Sequence, residues 1–561
     1  MAIFMDLDSI AVNKKSISSK FEHGKWTSTD YKTKLGEGRF LITSENVMPD
    51  EDIVLDINLK GWHRIYLCMV NFGSDTYTHI KLTDDLCFSG MRTSPKGNPH
   101  RWAPYEYVQE FYWKSADITG QQIILRKPEF VNPHTSNLVW IRCEKMSNEE
   151  IAAYNFEPCR CVQGHIDVDP FVEERFENLD STLIKLEALK NSNIDFCTLE
   201  TFVYGDQVKT DNYIPLKRFF PSQWQGNNFE AETLYKKHIE AGHNYGMKMY
   251  AGFRMCAGNF ISLFMPEYYN KNFFRDNSQL YCKNRDGAVI NVCSYAYPQT
   301  REYMIENILK TVSYGFDGIS LIFIRGMHIG FEQPVLERFE ELYPGINPKV
   351  LPVTDKRLHG VWCEFMTNFL RDLRKRLDKH IKINILTDYG LATSKHLGLD
   401  VEKWASEGLI DSASQSDMET YEDLDGCISE DGTIDMKKYV EKSKNTEIIK
   451  RNFATNIEKT CSHIKEYLEL KKYGVEVYNI LPWVHTRDIN TYNEYVNRMK
   501  KLGAEKFLAW NTNHMLWNYP EYNMMRFINN ENLKIDDVVT YYRTLSIDGA
   551  DISSFNPCWK G

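Results

Sequence analysis

Two hydrophobic periods divide the chain. Before about residue 145, short segments alternate apolar and polar positions: DIVLDINL, HRIYLCMV, HIKLTD, EYVQEFYWKSADI, QQIILRKP and LVWIRCEK. Breaks at GSD, SPKGNPH and NPHT carry turn residues, and a period of two broken this way predicts antiparallel strands of a β-sandwich. After Cys161 the pattern changes to apolar runs that alternate with amphipathic helices, as a parallel sheet requires. Eight such runs are predicted as strands: Gly164 to Val168, Ile194 to Val203, Met247 to Arg254, Gly318 to Arg325, Ile381 to Thr387, Ile410 to Gln415, Val475 to Pro482 and Lys506 to Trp510. Most follow a helix that closes on glycine, in EAGHNYG, KTVSYG, KWASEG, LELKKYG and MKKLG. Glycine accepts the left-handed conformation that ends a helix.

Eight βα units in this length predict a (β/α)8 barrel enlarged by long loops. An open doubly wound sheet is the competing architecture, but no strand leads into a GxGxxG or GxxxxGKS turn. The expected organisation is an N-terminal extension over residues 1–36, a β-sandwich accessory domain over 37–158 and the barrel over 159–561.

Composition narrows the chemistry. The net charge is −10 and the basic residues form no runs, which argues against a nucleic-acid partner. The opening MAIFMDLDSIAVNKK lacks the layout of a secretory signal, and no apolar run reaches the roughly 20 residues of a membrane span. A cytoplasmic protein with no membrane partner is expected. Thirteen cysteines, scattered singly except for Cys159 and Cys161, form no disulfide framework, and neither CxxC nor HxxxH appears. Neither a structural metal nor a cofactor is called for. Aromatic residues make up 13% of the chain, and flat rings with polar tips suit sugars.

A barrel of this kind carries its site at the C-terminal ends of the strands, so the residues that finish each strand are the candidates. The first ends in Asp167 and Asp169, the second in Glu200 with Tyr204, the third in Arg254, and the fourth in Arg325 with Glu332 nearby. The fifth ends in Asp388 and Tyr389, the sixth in Asp417 and Glu419. The seventh ends in Trp483, His485 and Arg487, and the eighth in Trp510, Asn511, Asn513 and His514. Each carboxylate alone is accounted for as a helix cap or loop ion pair. Their convergence on one mouth points to a polar ligand. Glycosyl transfer needs one carboxylic acid to protonate the leaving oxygen and a second carboxylate to attack or to activate water. Asp388, Asp417, Glu332 and Glu200 are the catalytic candidates. Arg325 and Arg254 are placed to hold a neighbouring acid ionised, while Tyr204, Tyr389, Trp483, His485, Trp510 and Asn511 are expected to contact a carbohydrate substrate.

The segment YGFDGISLIFIRG, Tyr314 to Gly326, resembles the fourth-strand segment of barrel glycoside hydrolases, especially the family 10-like proteins. SYAYPQTREYMIENIL, LDVEKWASEGLIDSASQSD and RMKKLGAEKFLAWNT add to the resemblance, which spans about residues 160 to 530. It implies a glycosidase barrel with an accessory sandwich. One departure matters: many relatives, like alpha-amylase-type barrels, place an essential aspartate after the Asp-Gly pair and three intervening residues, and here Asp317-Gly318-Ile319-Ser320-Leu321 leads to Ile322. An isoleucine neither attacks a sugar nor carries a proton. Two other readings therefore stand beside the glycosidase, a glycan-binding barrel that does not cut, and a metal-dependent lyase or isomerase built on Asp167, Asp169, Glu200 or His485. For the sandwich, Trp62, Trp102, Tyr105, Tyr112 and Trp113 supply rings for sugar binding, but a structural brace or a homo-oligomer contact is the expected role.

Overall fold

The computed structural model describes residues 1–43, 48–70, 76–92, 107–128, 135–167, 178–203, 206–207, 231–255, 273–324, 328–352, 354–387, 390–415, 463–481, 496–510, 525–526, 528 and 543–546. Eight parallel strands close into a barrel: Val162–Ile166, Ile194–Val203, Lys248–Arg254, Gly318–Ile322, Lys382–Thr387, Ser412–Gln415, Glu476–Ile480 and Lys506–Ala509. Each pairs with the next, and the first pairs with both the second and the eighth, which leaves no free edge. Every predicted barrel strand is present, with ends displaced by up to three residues.

The helices around the barrel form for local reasons. In Lys356–Arg376, Leu358, Val361, Trp362, Met366, Phe369, Leu370 and Leu373 recur at helical spacing and are all buried against the barrel. The Asp355 side chain accepts the Arg357 N–H at its start, and Arg374, Lys375 and Arg376 meet the negative end of its dipole. Pro298–Val312 and Gln333–Leu342 both carry proline in the first turn, where its missing N–H costs nothing. Among the described residues no helix is long and apolar enough to cross a membrane.

The alternating segments build three β-sheets. One has the order Ala2–Phe4, Trp140–Lys145, Trp62–Val70, Tyr107–Asp117 and Arg543–Ser546. The second runs Ile53–Leu55, Ile123–Arg126, Tyr77–Leu82, Ser89–Arg92, and the third Ser136–Leu138, Gly36–Thr43, Trp26–Thr33, Ile17–Ser18. All pairings are antiparallel except that of Ile17–Ser18 with Trp26–Thr33. Trp26, Leu41, Leu67, Phe111, Trp113 and Leu125 lie in their shared core.

Residues 1–36 are not a separate extension in this structure. Ala2 to Phe4 pair with Ile141 to Cys143, and Trp26–Thr33 forms a hairpin with Gly36–Thr43. The chain beyond the barrel also returns, since Arg543–Ser546 pairs with Tyr107–Asp117. Cys87 and Phe88 of the sandwich pack into the barrel's own core cluster, so the two parts share an apolar contact. Of the rings considered for sugar binding, Trp113 and Tyr112 are buried, Trp62 is half-buried against Tyr154, and Trp102 and Tyr105 lie outside the described residues.

Candidate active site

The barrel interior is polar at mid-height. Inward-facing Gln163, Thr198, Ser320, Asn384, Ser412 and Ser414, from five strands, form one hydrogen-bonded set. The Gln163 amide donates to Thr198 at 3.4 Å, Thr198 and Ser320 share a bond of 2.8 Å, and the Asn384 amide donates to Ser320 at 3.2 Å. Ser412 and Ser414 both donate to the Asn384 carbonyl, at 2.9 and 3.0 Å, and Ser414 also bonds Gln163. Buried polar groups have to be satisfied in this way, and together they fix the strands in register.

One layer nearer the C-terminal ends of the strands lies a charged group. His165 and Asp167 follow Gln163 at intervals of two on the first strand and just beyond it, so the pleat turns them inward as well. Glu200 lies near the end of the second strand, at a register shift against the third, a bulge of the kind that re-aims a side chain. Opposite it stands Gly252, where a Cβ would meet the Thr198 methyl at 2.9 Å and the Glu200 Cα at 3.1 Å. The absence of a side chain there lets the second and third strands approach closely at this point.

Arg254 Nε donates to both oxygens of Glu200, at 2.9 and 3.1 Å, and its Nη2 donates to Asp167 Oδ2 at 3.0 Å. His165 Nε2 bonds Glu200 Oε1 at 3.0 Å. The indole of Trp510, at the end of the eighth strand, stacks on the His165 ring with centroids 3.8 Å apart, and the Arg254 guanidinium lies 5.9 Å from the same indole. Glu200 and His165 are wholly buried, whereas 8% of the Asp167 side chain and 12% of the Arg254 side chain reach solvent. Asp167 and Arg254 therefore face the mouth, and Glu200 and His165 hold them from beneath. A carboxylate buried to that degree needs the guanidinium it has.

Ile322 occupies the fourth strand at the register of Arg254 and is fully buried, so no acid enters the layer from this position.

The other expected residues divide three ways. Glu200 and Arg254 come together as described, but Glu200 is covered rather than open to a ligand. Trp510 is 1% exposed and one ring face is taken by His165, so it caps the barrel core instead of offering a platform for a sugar. Glu332 does not lie on a loop open to the mouth. It is the N-cap residue of Gln333–Leu342 and is fully buried, with both oxygens accepting the Gly330 N–H at 2.9 and 2.8 Å. The Cys282 thiol, from the hairpin Tyr281–Lys283 and Val289–Cys293, and the Ser294 hydroxyl reach the same carboxyl, and burial raises its pKa. Tyr204, Arg325, Asp388, Tyr389, Asp417, Trp483, His485 and Asn511 lie outside the described residues.

His165 is the member of this charged group that strand-end reasoning missed. Its signal is the polar alternation Gln163, His165, Asp167 inside an apolar run, which marks the inward face of a barrel strand. Among the described residues no group of three His, Cys, Asp or Glu side chains is placed to hold a metal ion.

No family model and no curated protein matches the sequence. Solved structures similar to the chain include the alpha-galactosidase TtGalA from Thermus thermophilus in complex with p-nitrophenyl alpha-D-galactopyranoside. It is 9% identical over 92% of this chain and 98% of its own, with a TM-score of 0.33. The glycoside hydrolase domain of PelA from Pseudomonas aeruginosa is 11% identical over 63% of this chain and 94% of its own, with a TM-score of 0.29. A chitinase from Bacteroides thetaiotaomicron is 11% identical over 67% of this chain and 99% of its own, with a TM-score of 0.30. These neighbours are glycoside hydrolases, and at such identities and TM-scores they assign neither activity nor substrate to this chain.

Proposed function

We propose that the chain is a glycoside hydrolase that acts on a neutral glycoside or oligosaccharide inside the cell. The observation that carries this reading is the bridging of Asp167 and Glu200 by the single guanidinium of Arg254 at the C-terminal ends of the barrel strands. Among the described residues, two carboxylates flank one guanidinium, which sets negative charge beside the mouth. Such charge opposes the positive charge that grows on the anomeric carbon in an oxocarbenium-like transition state. Asp167, the more open carboxylate, is the one presented to the sugar. Glu200 and His165 are positioning residues that fix Arg254 and, through it, Asp167.

The leaving oxygen needs a second carboxylic acid to protonate it. Asp388 directly follows the fifth strand and is assigned this role, with Asp417 after the sixth strand as its partner. Tyr204, Tyr389, Trp483, His485, Asn511 and Arg325 are the substrate contacts in this reading. Support for an intracellular setting comes from the described cysteines, which are thiols. The resemblance of Tyr314 to Gly326 to barrel glycoside hydrolases supports the activity.

Purified protein tested against a panel of aryl glycosides and oligosaccharides is expected to hydrolyse at least one. Asp167→Asn and Asp388→Asn should each lower kcat by about 100-fold or more, the scale of a lost acid or base. Glu200→Gln should cost less and raise KM as well, because it loosens Arg254. Full activity in both aspartate variants would discard the assignment. Ile322 favours a second reading, a barrel that binds glycans without cutting them. Saturable binding in a calorimeter with no product on long incubation would establish that one instead.

A further inference from the structure

Cys159 and Cys161 stand on the opposite side of the barrel from the mouth, where the chain enters the first strand. Residues i and i+2 of an extended segment are about 6.6 Å apart along the strand. Here Arg160 between them adopts φ of 50°, in the left-handed region that a non-glycine residue rarely takes. That kink folds the two side chains toward each other, and their sulfurs are 3.1 Å apart.

The kink is held from several sides. The Arg160 guanidinium donates to the Ile194 and Tyr245 carbonyls, both at 3.0 Å. The Cys159 N–H donates to Asn193 Oδ1 at 2.9 Å, and the Cys161 N–H to the Asn193 carbonyl at 2.9 Å. The Asn193 amide is fixed in turn by the Arg526 and Ile528 carbonyls, at 2.9 and 2.7 Å. Both thiols also lie against the Ile528 carbonyl, Cys159 at 3.5 Å and Cys161 at 3.6 Å. Strain of this kind persists only where the surroundings over-determine it, and it concentrates at functional positions.

The two sulfurs are unequal. Cys159 is exposed and Cys161 is buried. The Cys161 thiol, donating to Cys159, brings the Cys159 thiol below its ordinary range, with Lys500 adding to the effect. An exposed sulfur with thiolate character beside a buried second thiol is the arrangement of an attacking and a resolving cysteine.

We propose that Cys159 and Cys161 form a reversible redox-modification site that exchanges with low-molecular-weight disulfides and closes to an intramolecular disulfide. The Cys159 thiolate attacks one sulfur of the small disulfide, forms a mixed disulfide and expels one small thiolate. The Cys161 thiolate then attacks Cys159 Sγ, the Cys159–Cys161 bond forms, and the second small thiolate leaves. The protein loses two protons and two electrons, and the small disulfide becomes two thiols. Closure needs the sulfurs to approach by about 1 Å, from their present contact to a bonded distance near 2.05 Å.

The full-length reduced protein, incubated with oxidised glutathione and then alkylated, tests this by peptide mass spectrometry. The expected product is the peptide holding Cys159 and Cys161 lighter by two hydrogens and unalkylated, restored to two alkylated thiols by dithiothreitol. Titratable thiols in the denatured chain should fall by two from thirteen. Cys161→Ser should stop at a glutathione adduct on Cys159, and Cys159→Ser should yield neither adduct nor closure at Cys161. In the unmutated chain, Cys159 should be alkylated well before Cys161 by limiting iodoacetamide, a measurement that needs no variant. A stable glutathione adduct on Cys159 without closure, a closed product that maps to other cysteines, or no preference for Cys159 in alkylation would each overturn the proposal.

Discussion

Glu200 and Glu332 are both wholly buried, and a guanidinium reaches the first while the groups around the second are neutral. Arg254 bonds both oxygens of Glu200. Glu332 meets the Gly330 N–H, the Cys282 thiol and the Ser294 hydroxyl, which lower its pKa by less than burial raises it. Its folded pKa therefore lies above the ordinary 4.5, and the protonated form is the one that the fold prefers. The stability this gives is fully present below the unfolded value and is lost as pH rises through the folded one, at up to about 1.4 kcal/mol for each tenfold difference in proton affinity between the two states. Glu332→Gln removes the charge and keeps a carbonyl to accept the Gly330 N–H. The unfolding free energy of the variant minus that of the unmutated chain is expected to grow between pH 4.5 and 7, measured by urea denaturation. A difference that stays constant over that range would show that Glu332 is not penalised as an anion. The same burial keeps Glu332 from reaching a substrate, whereas 8% of the Asp167 side chain reaches solvent.

At the scale of elements, the glycines that close helices before barrel strands do two different jobs. Gly474 ends Glu469–Tyr473 with φ of 80°, and a Cβ placed on it would meet nothing within 4 Å. Gly474→Ala should cost only the left-handed conformation, about 1–2 kcal/mol. Gly246 precedes the third strand with φ of 72°, and its Cβ would come within 2.5 Å of Arg160 Nη2. Gly246→Ala carries the same conformational cost and displaces a guanidinium that bonds two carbonyls. It is expected to destabilise by roughly 1 kcal/mol or more beyond Gly474→Ala in chemical denaturation. Equal losses would mean that Arg160 moves aside freely. These glycines also explain why the barrel was readable from the sequence. Helix, glycine and apolar run recur as local signals before five of the strands, and all eight apolar runs form strands. Strand-end positions such as Glu200 and Arg254 followed from the rule that a barrel carries its site at the C-terminal ends of its strands. What stayed hidden was tertiary. The hairpin from Tyr281 to Cys293 buries Glu332, and His165 covers the face of Trp510, and neither neighbour is close in sequence.

At the scale of the whole molecule, the chain crosses between its two parts more than once, which the change of period at Cys161 does not announce. The N-terminal residues and the last described strand both belong to the five-stranded sheet, as Ala2–Phe4 at one edge and Arg543–Ser546 at the other. Arg543 to Ser546 oppose Glu110 to Tyr107 in antiparallel register. A short segment such as RTLS, distant from the sandwich and following a barrel pattern, carries no signal of its own to say which sheet it joins. Its position has a physical consequence, because without it Tyr107–Asp117 becomes the edge of the sheet, and unpaired strand edges recruit other chains. A chain ending at residue 542 should keep its barrel, yet show a lower urea midpoint for the sandwich and concentration-dependent association by light scattering. Lysine in place of Val108 in the shortened chain would set a charge on the bared edge, but Val108 is fully buried and the substitution would break the core as well. Lysine at Gln109, the register partner of Thr544, is the control. If the edge causes the association, Gln109→Lys in the shortened chain should suppress it without restoring the midpoint. A shortened chain that remains monodisperse at the original midpoint would show that the returning strand contributes nothing to the sandwich.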